Sequence, residues 1–207
     1  MDRKRPEIIT ISQRIGFQDQ QTDEEKESMN YKEVIDKFYP EDNELKRLLL
    51  RHSTDVAGKA LEIAHRNPQL NIDTDFLLEG AMLHDIGIFM TDAPGIFCHG
   101  NQPYIKHGII GAALLRELGW ERHARVCERH TGTGITKKQI IERQLPLPLI
   151  DLVPETIEEQ VICYADKFYS KSHPEITKTV EQARQSLMKF GEHGIEVFDQ
   201  WTKLFVQ

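Results

Sequence analysis

His52, His84, Asp85, His107, His130 and Asp166 are the residues of this sequence whose types and spacing could do chemistry together. A lone histidine on an apolar face is more often a satisfied core residue than a ligand, so none of them argues alone. Taken together they differ, because separate helical segments each place a His or an Asp near an end or on an inward stripe, and one presents His84 and Asp85 as an adjacent pair. Imidazole nitrogen and carboxylate oxygen suit first-row transition metals as well as Mg and Mn, and ligands drawn from several bundle helices can meet in an interior. If all six held two divalent ions, four neutral imidazoles and two carboxylates would offset half of the +4, leaving about +2 as a local trap for phosphate. Such a centre lowers the pKa of a bound water towards neutrality and stabilises charge on phosphoryl oxygens. A side-chain nucleophile is then unnecessary, and the sequence has no G-x-S-x-G elbow and no cysteine placed with a histidine partner.

The elements that must carry these residues are legible as helices. Between Glu44 and Ala64 the apolar positions Leu45, Leu48, Leu49, Val56, Ala60 and Ile63 recur every three or four residues, with His52 on the same stripe. A second helix is predicted from an Asp73 or Thr74 cap through Leu77 and Ala81 to His84-Asp85, before the stop Ile86-Gly87. The segment from Phe89 to Lys106 reads as irregular. His107 then opens a helix that ends before Gly119, and His130 lies at the inner C-terminal end of a helix from Trp120. Thr136 to Leu145 reads as a short capped helix. Pro154 is expected to open a helix whose apolar side carries Asp166, and Ser172 with Glu175 to form a capping box for the first of two outer helices within 174–205. The fold class expected is an all-α bundle over residues 31–207. Residues 1–30, polar and weakly periodic, read as a loosely packed extension in which Glu7 to Ile11 makes one strand.

Composition narrows the setting. With 207 residues and 39% hydrophobic content the chain can bury a core without staples. Its 26 Lys+Arg against 33 Asp+Glu give a formal charge of -7, which speaks against bulk attraction to nucleic acid or anionic lipid and leaves anion binding to a local site. The three cysteines, Cys98, Cys127 and Cys163, contain no C-x-x-C pair and fit a reducing cytoplasm. No apolar stretch approaches the ~20 residues of a membrane span, so a cytoplasmic protein is expected.

The order His52, His84-Asp85-Ile86-Gly87, Asp166 resembles the HD superfamily of metal-dependent phosphohydrolases in its HDIG form. His107-Gly-Ile-Ile-Gly-Ala and His130-Thr-Gly stand where two-metal members carry two extra histidines, and the stretch to Pro154-Glu-Thr-Ile-Glu-Glu-Gln-Val-Ile-Cys-Tyr-Ala-Asp-Lys167 looks like a small HDIG group of archaea and bacteria. The likeness covers about Leu45 to Ser170. The chain is also similar to bacterial HD-type hydrolases of diadenosine tetraphosphate, but departs from them in the long 90–106 segment and in Ala165-Asp166-Lys167-Phe168. The resemblance implies an HD-domain helical bundle in which Asp85 bridges two divalent ions, His52, His84 and Asp166 hold one, and His107 and His130 complete the other. Fe or Mn come before Zn, Ni, Co or Mg. It further implies a hydrolase of a phosphoester or phosphoanhydride in a small, nucleotide-like substrate. Two other readings share the ligand set: a di-iron oxygenase, and a nucleotide-sensing HD protein, against which the intact His84-Asp85 pair argues.

A phosphohydrolase needs cations beside the leaving phosphate, and Lys106, Arg129, Lys137, Lys138 and Lys167 flank the ligand positions. Lys167 is the first choice for a catalytic role because it follows Asp166. His99 reads as a surface-loop residue and Cys98 is not counted as a ligand. His65, His123, His173 and His193 read as structural or exposed, and Gly108 and Gly111 as close-packing residues. Trp201, Phe205 and Val206 would either cover the core or form a homodimer contact.

Overall fold

The structure, a computed structural model, describes residues 30–206; the strand expected at Glu7 to Ile11 and nearly all of the N-terminal extension lie outside them. Nine α-helices occur among the described residues: α1 Tyr31–Phe38, α2 Glu44–Arg66, α3 Thr74–Leu83, α4 His107–Glu117, α5 Glu121–Arg129, α6 Lys137–Glu142, α7 Ile157–Asp166, α8 Val180–Ser186 and α9 Glu192–Phe205. The all-α expectation holds. Among the described residues no helix is long and apolar enough to cross a membrane.

The long α2 forms because its apolar stripe recurs with the helical period, and Asn43 caps it by accepting from the Lys46 amide. That stripe buries Leu49, Val56, Ala60 and Ile63 against α3 and α7, and it carries His52 inward with them. On the far side α4 lies against α5. Tyr164 of α7 meets Phe198 and Phe205 of α9, with ring centroids 4.9 and 5.4 Å apart, closing the bundle from outside. Each such aromatic contributes on the order of 2 kcal/mol by leaving water. Trp201 and Phe205 therefore belong to the chain's own core, while Val206 is exposed.

Three local expectations are corrected. The helix carrying Asp166 opens at Ile157, not at Pro154, because Thr156 and Glu159 make a reciprocal cap and the Glu159 carboxylate also accepts from the Glu155 amide at 2.7 Å. Ser172 caps nothing: its hydroxyl pairs with that of Ser170, and the outer helix begins only at Val180, where Thr179 and Gln182 form the box. Residues 90–106 are not wholly irregular, since β1 Thr91–Ala93 pairs antiparallel with β2 Cys98–His99 and parallel with β3 Gln102–Pro103. This small sheet brings the chain from the end of α3 back to the start of α4.

Candidate metal centre

All six residues singled out from the sequence converge in one buried cluster. His84 caps the end of α3 and Asp85 follows it; His107 opens α4, His130 caps the end of α5, Asp166 closes α7, and His52 lies mid-way along α2. His52 Nε2 lies 3.2 Å from Asp85 Oδ2 and 3.0 Å from Asp166 Oδ1, and His84 Nε2 lies 3.1 Å from Asp85 Oδ2. Across Asp85, its Oδ1 is 3.5 Å from Nε2 of both His107 and His130. Asp85 thus faces two half-sites, one with His52, His84 and Asp166 and the other with His107 and His130.

Local folding fixes which nitrogen faces inward. The Nδ1–H of His84 donates to the Ala81 carbonyl at 2.6 Å, that of His107 to Tyr104 at 2.7 Å, and that of His130 to Cys127 at 2.7 Å. Each bond runs three residues back along the chain, and because a carbonyl can only accept, each ring is left with its Nε2 lone pair aimed at the cluster. Metal-binding histidines are usually oriented in this way.

The backbone sets the spacing between these segments. A β-carbon on Gly87 would collide with the backbone of His107 and Gly111, and one on Gly108 with the carbonyl of Cys127. The His84-Asp85 turn, α4 and α5 therefore touch main chain to main chain, which only glycine permits at those two positions.

The electrostatics suit a cation. Burial pushes the Asp85 carboxyl up, but the Lys171 ammonium and His84 outweigh it and hold the group well below the usual carboxylate range. The same contest, won by Lys167 and the bonds from His52 and His84, keeps Asp166 ionised. Burial works against a charge on His84, yet Asp85 and Asp166 push its pKa up to about 9; a proton or a metal ion answers the same demand. His107 is different. Burial and the neighbouring His130 bring it down to about 3, and burial lowers His130 as well.

The residues present fit a bound metal. His107 Nε2 and His130 Nε2 stand 3.0 Å apart with both Nδ1 protons already committed to carbonyls, so two lone pairs face each other with no proton between them. Both carboxylate oxygens of Asp85 are buried without a well-formed hydrogen bond, although Oδ2 has the Lys171 ammonium as an ion-pair partner. Buried polar atoms are seldom left so, and a divalent ion on each side would satisfy all of them. His52, His84 and Asp85 form one group able to hold an ion, and Asp85, His107 and His130 a second.

Of the flanking cations, Lys167 turns inward, but its ammonium is committed: it donates to Asp166 Oδ2 at 2.7 Å and to the His130 carbonyl at 3.0 Å. It positions two site residues. The sequence reading missed Lys171, whose ammonium lies 2.5 Å from Asp85 Oδ2, closer to the centre than any other cation among the described residues. Its spacing of five residues from Asp166 was the available signal, and the bend between them hid it. Lys106, Arg129, Lys137 and Lys138 do not line the cavity over the cluster; Arg129, for example, pairs with Glu155 and the Val153 carbonyl. His99 is exposed on β2, Cys98 is buried with its thiol towards Ile96, and His123 pairs with Glu79, so none joins the cluster.

Comparison with known proteins agrees with this architecture. The HD domain family profile matches residues 49–170. An uncharacterized protein of Methanocaldococcus jannaschii is 37% identical over 145 residues, which is 68% of this chain and 78% of that one. Two tRNA (cytidine(56)-2'-O)-methyltransferases, from Picrophilus torridus and Thermoplasma volcanium, are 37% and 34% identical over 59% of this chain, but the match spans only 32% of each. No solved structure gives a significant match. With its profile match, its relative across most of both chains and its helical fold around a His/Asp cluster, this chain belongs to the HD-domain family, within the superfamily of metal-dependent phosphohydrolases.

Proposed function

We propose that the chain is a hydrolase that uses two divalent transition-metal ions to cleave a phosphoester or phosphoanhydride of a small, nucleotide-like molecule. The observation that carries this reading is the pairing of a six-donor His/Asp cluster with a surplus of ammonium groups at its mouth. Lys171, Lys178 and Lys189 line the same cavity as His107, His130 and Asp166, in a protein whose formal charge is -7. Cations gathered against the sign of the whole molecule mark a local anion site.

When bound, the ions would supply a hydroxide from water and withdraw charge from the phosphoryl oxygens. Asp85 would hold both ions, with His52, His84 and Asp166 on one side and His107 and His130 on the other. Lys167 keeps Asp166 and the end of α5 in place through its two hydrogen bonds. Lys171 is the group placed to meet a phosphate oxygen above Asp85, where charge-assisted bonds are strongest. His107, held neutral by burial, keeps its lone pair available across the physiological range.

The likeness to two methyltransferases is read as a shared segment, because it spans about a third of them. The lysine-lined mouth favours a phosphate compound over the di-iron oxygenase reading.

The test is elemental analysis of protein purified without added metal or affinity-tag nickel, with phosphate release from a panel of nucleotides followed before and after chelation. Two transition-metal ions per chain and a chelator-sensitive release of phosphate or nucleoside phosphate are expected. No metal even after reconstitution would overturn the reading, and oxygen uptake with a mixed-valence iron signal would replace it with the oxygenase.

A further inference from the structure

Beside the lysine-lined mouth lies a second cavity of about 340 Å³ with a different character. The two share a wall, since Tyr104, His107, Thr131, Lys189 and Phe190 line both. Past that wall the lining becomes apolar: Ile105, Ile135 and Leu145 belong to a small satellite core around Ile140 and Leu152, separate from the main one. The satellite core is tied down by an antiparallel bridge between Ile135 and Leu152.

The outer wall is built rather than incidental. Gln139 Nε2 and an Arg143 guanidinium nitrogen both donate to the Phe190 carbonyl, at 3.2 and 2.8 Å, and Arg143 also donates to the Lys189 carbonyl. Phe190 is seated over Gly132, where a β-carbon would press on its ring at 3.2 Å. Tyr104 stacks on His107 with ring centroids 4.7 Å apart and an interplanar angle of 22°. An aromatic side chain from each side therefore flanks the passage from the histidines into the apolar cavity.

Lys178 and Lys189 pair with no carboxylate among the described residues. Burial and the nearby lysines Lys167, Lys189 and Lys171 push the Lys178 ammonium down, against the pull of Asp166, which marks a cluster short of anions.

We infer that the apolar cavity walled by Ile105, Ile135, Leu145 and Phe190 is the specificity pocket for the ring-bearing organic part of the substrate, whose phosphate rests among Lys171, Lys178 and Lys189. The inference rests on the phosphohydrolase reading and narrows it: a bare phosphate or sugar phosphate leaves the apolar cavity wet, whereas a nucleobase-sized planar group fills it. A volume of about 340 Å³ falls within the range of about 300–1,000 Å³ usual for small-molecule sites, which are apolar with a few convergent polar groups.

The test is titration calorimetry on the full chain loaded with Mn(II), using two slowly hydrolysed probes, inorganic thiophosphate and adenosine 5'-monophosphorothioate. The nucleoside probe is expected to bind at least about tenfold more tightly, from burial of its ring. Leu145→Glu and Ile105→Glu, at half-buried positions that line only the apolar cavity, should each remove most of that difference and leave thiophosphate binding within about twofold. Lys189→Gln should weaken both probes. Equal affinity for the two probes, or a ratio untouched by both wall variants, would overturn the pocket while leaving the phosphate site standing; failure of both probes to bind the loaded protein would overturn the phosphohydrolase reading with it.

Discussion

The inner cluster and the mouth above it are made of different material. His84, His107, His130 and Asp166 sit at helix ends and His52 on a helix stripe, all inside the span matched by the family profile. The mouth takes Tyr104 from a short turn, and Lys171, Lys178, Lys189 and Phe190 from segments beyond residue 170, where that match stops. Helices hold donors to within the tolerance that coordination requires, while irregular segments can be exchanged without disturbing them. On the proposed reading, the comparison teaches that reaction type and substrate choice would be carried by separable parts of the chain, as is usual when one fold serves many activities.

Breaking the inner part should cost most. Asp85→Ala is expected to lower turnover at least about 10³-fold and to remove the metal, with the far-ultraviolet circular dichroism unchanged, because on the proposed reading the carboxylate would face ions rather than fill a core. Full activity in that variant would dissolve the comparison. His107→Ala and His130→Ala should each leave one ion in place of two and reduce turnover by about 10²-fold, read by elemental analysis beside the rate. Gly87→Ala tests the scaffold itself: the added methyl has nowhere to go but into the backbone of α4, and a loss of about 3 kcal/mol in denaturant unfolding is expected. At the mouth the effect should be smaller and of another kind. Lys171→Gln is expected to raise KM for a phosphate substrate by about tenfold while metal content stays at the wild-type level. A metal loss as complete as that of Asp85→Ala would place Lys171 with the inner part instead.

The same division decides what could be read in the sequence. His52 was legible because it shares a helical stripe with Leu49 and Val56, and His84, His107 and His130 because Gly and cap residues mark the helix ends they occupy. Lys171 escaped because the chain bends after Asp166, so its distance in sequence says nothing of where the ammonium lands. Lys189 and Phe190 escaped for a similar reason, being brought to the mouth by hydrogen bonds from Arg143 and Gln139, contacts 46 to 51 residues apart that no local pattern announces, and Lys178 because its amide bonds back to the Phe168 carbonyl across the same bend. Pro154 and Ser172 misled because both are favoured at helix starts, yet Thr156 and Thr179 had the better partner three residues on.

The glycine contacts at Gly87 and Gly108 have a consequence for how such a chain can drift. Three of the ligand-bearing segments are separated by the thickness of bare peptide rather than by interleaved side chains. Peptide thickness does not vary with sequence, so it works as a ruler. Substitutions among the surrounding leucines, isoleucines and valines would then be felt first as lost stability, and only later as a change in the separation of the two half-sites. A core free to be repacked and a centre held to a fixed gauge can coexist in one small bundle.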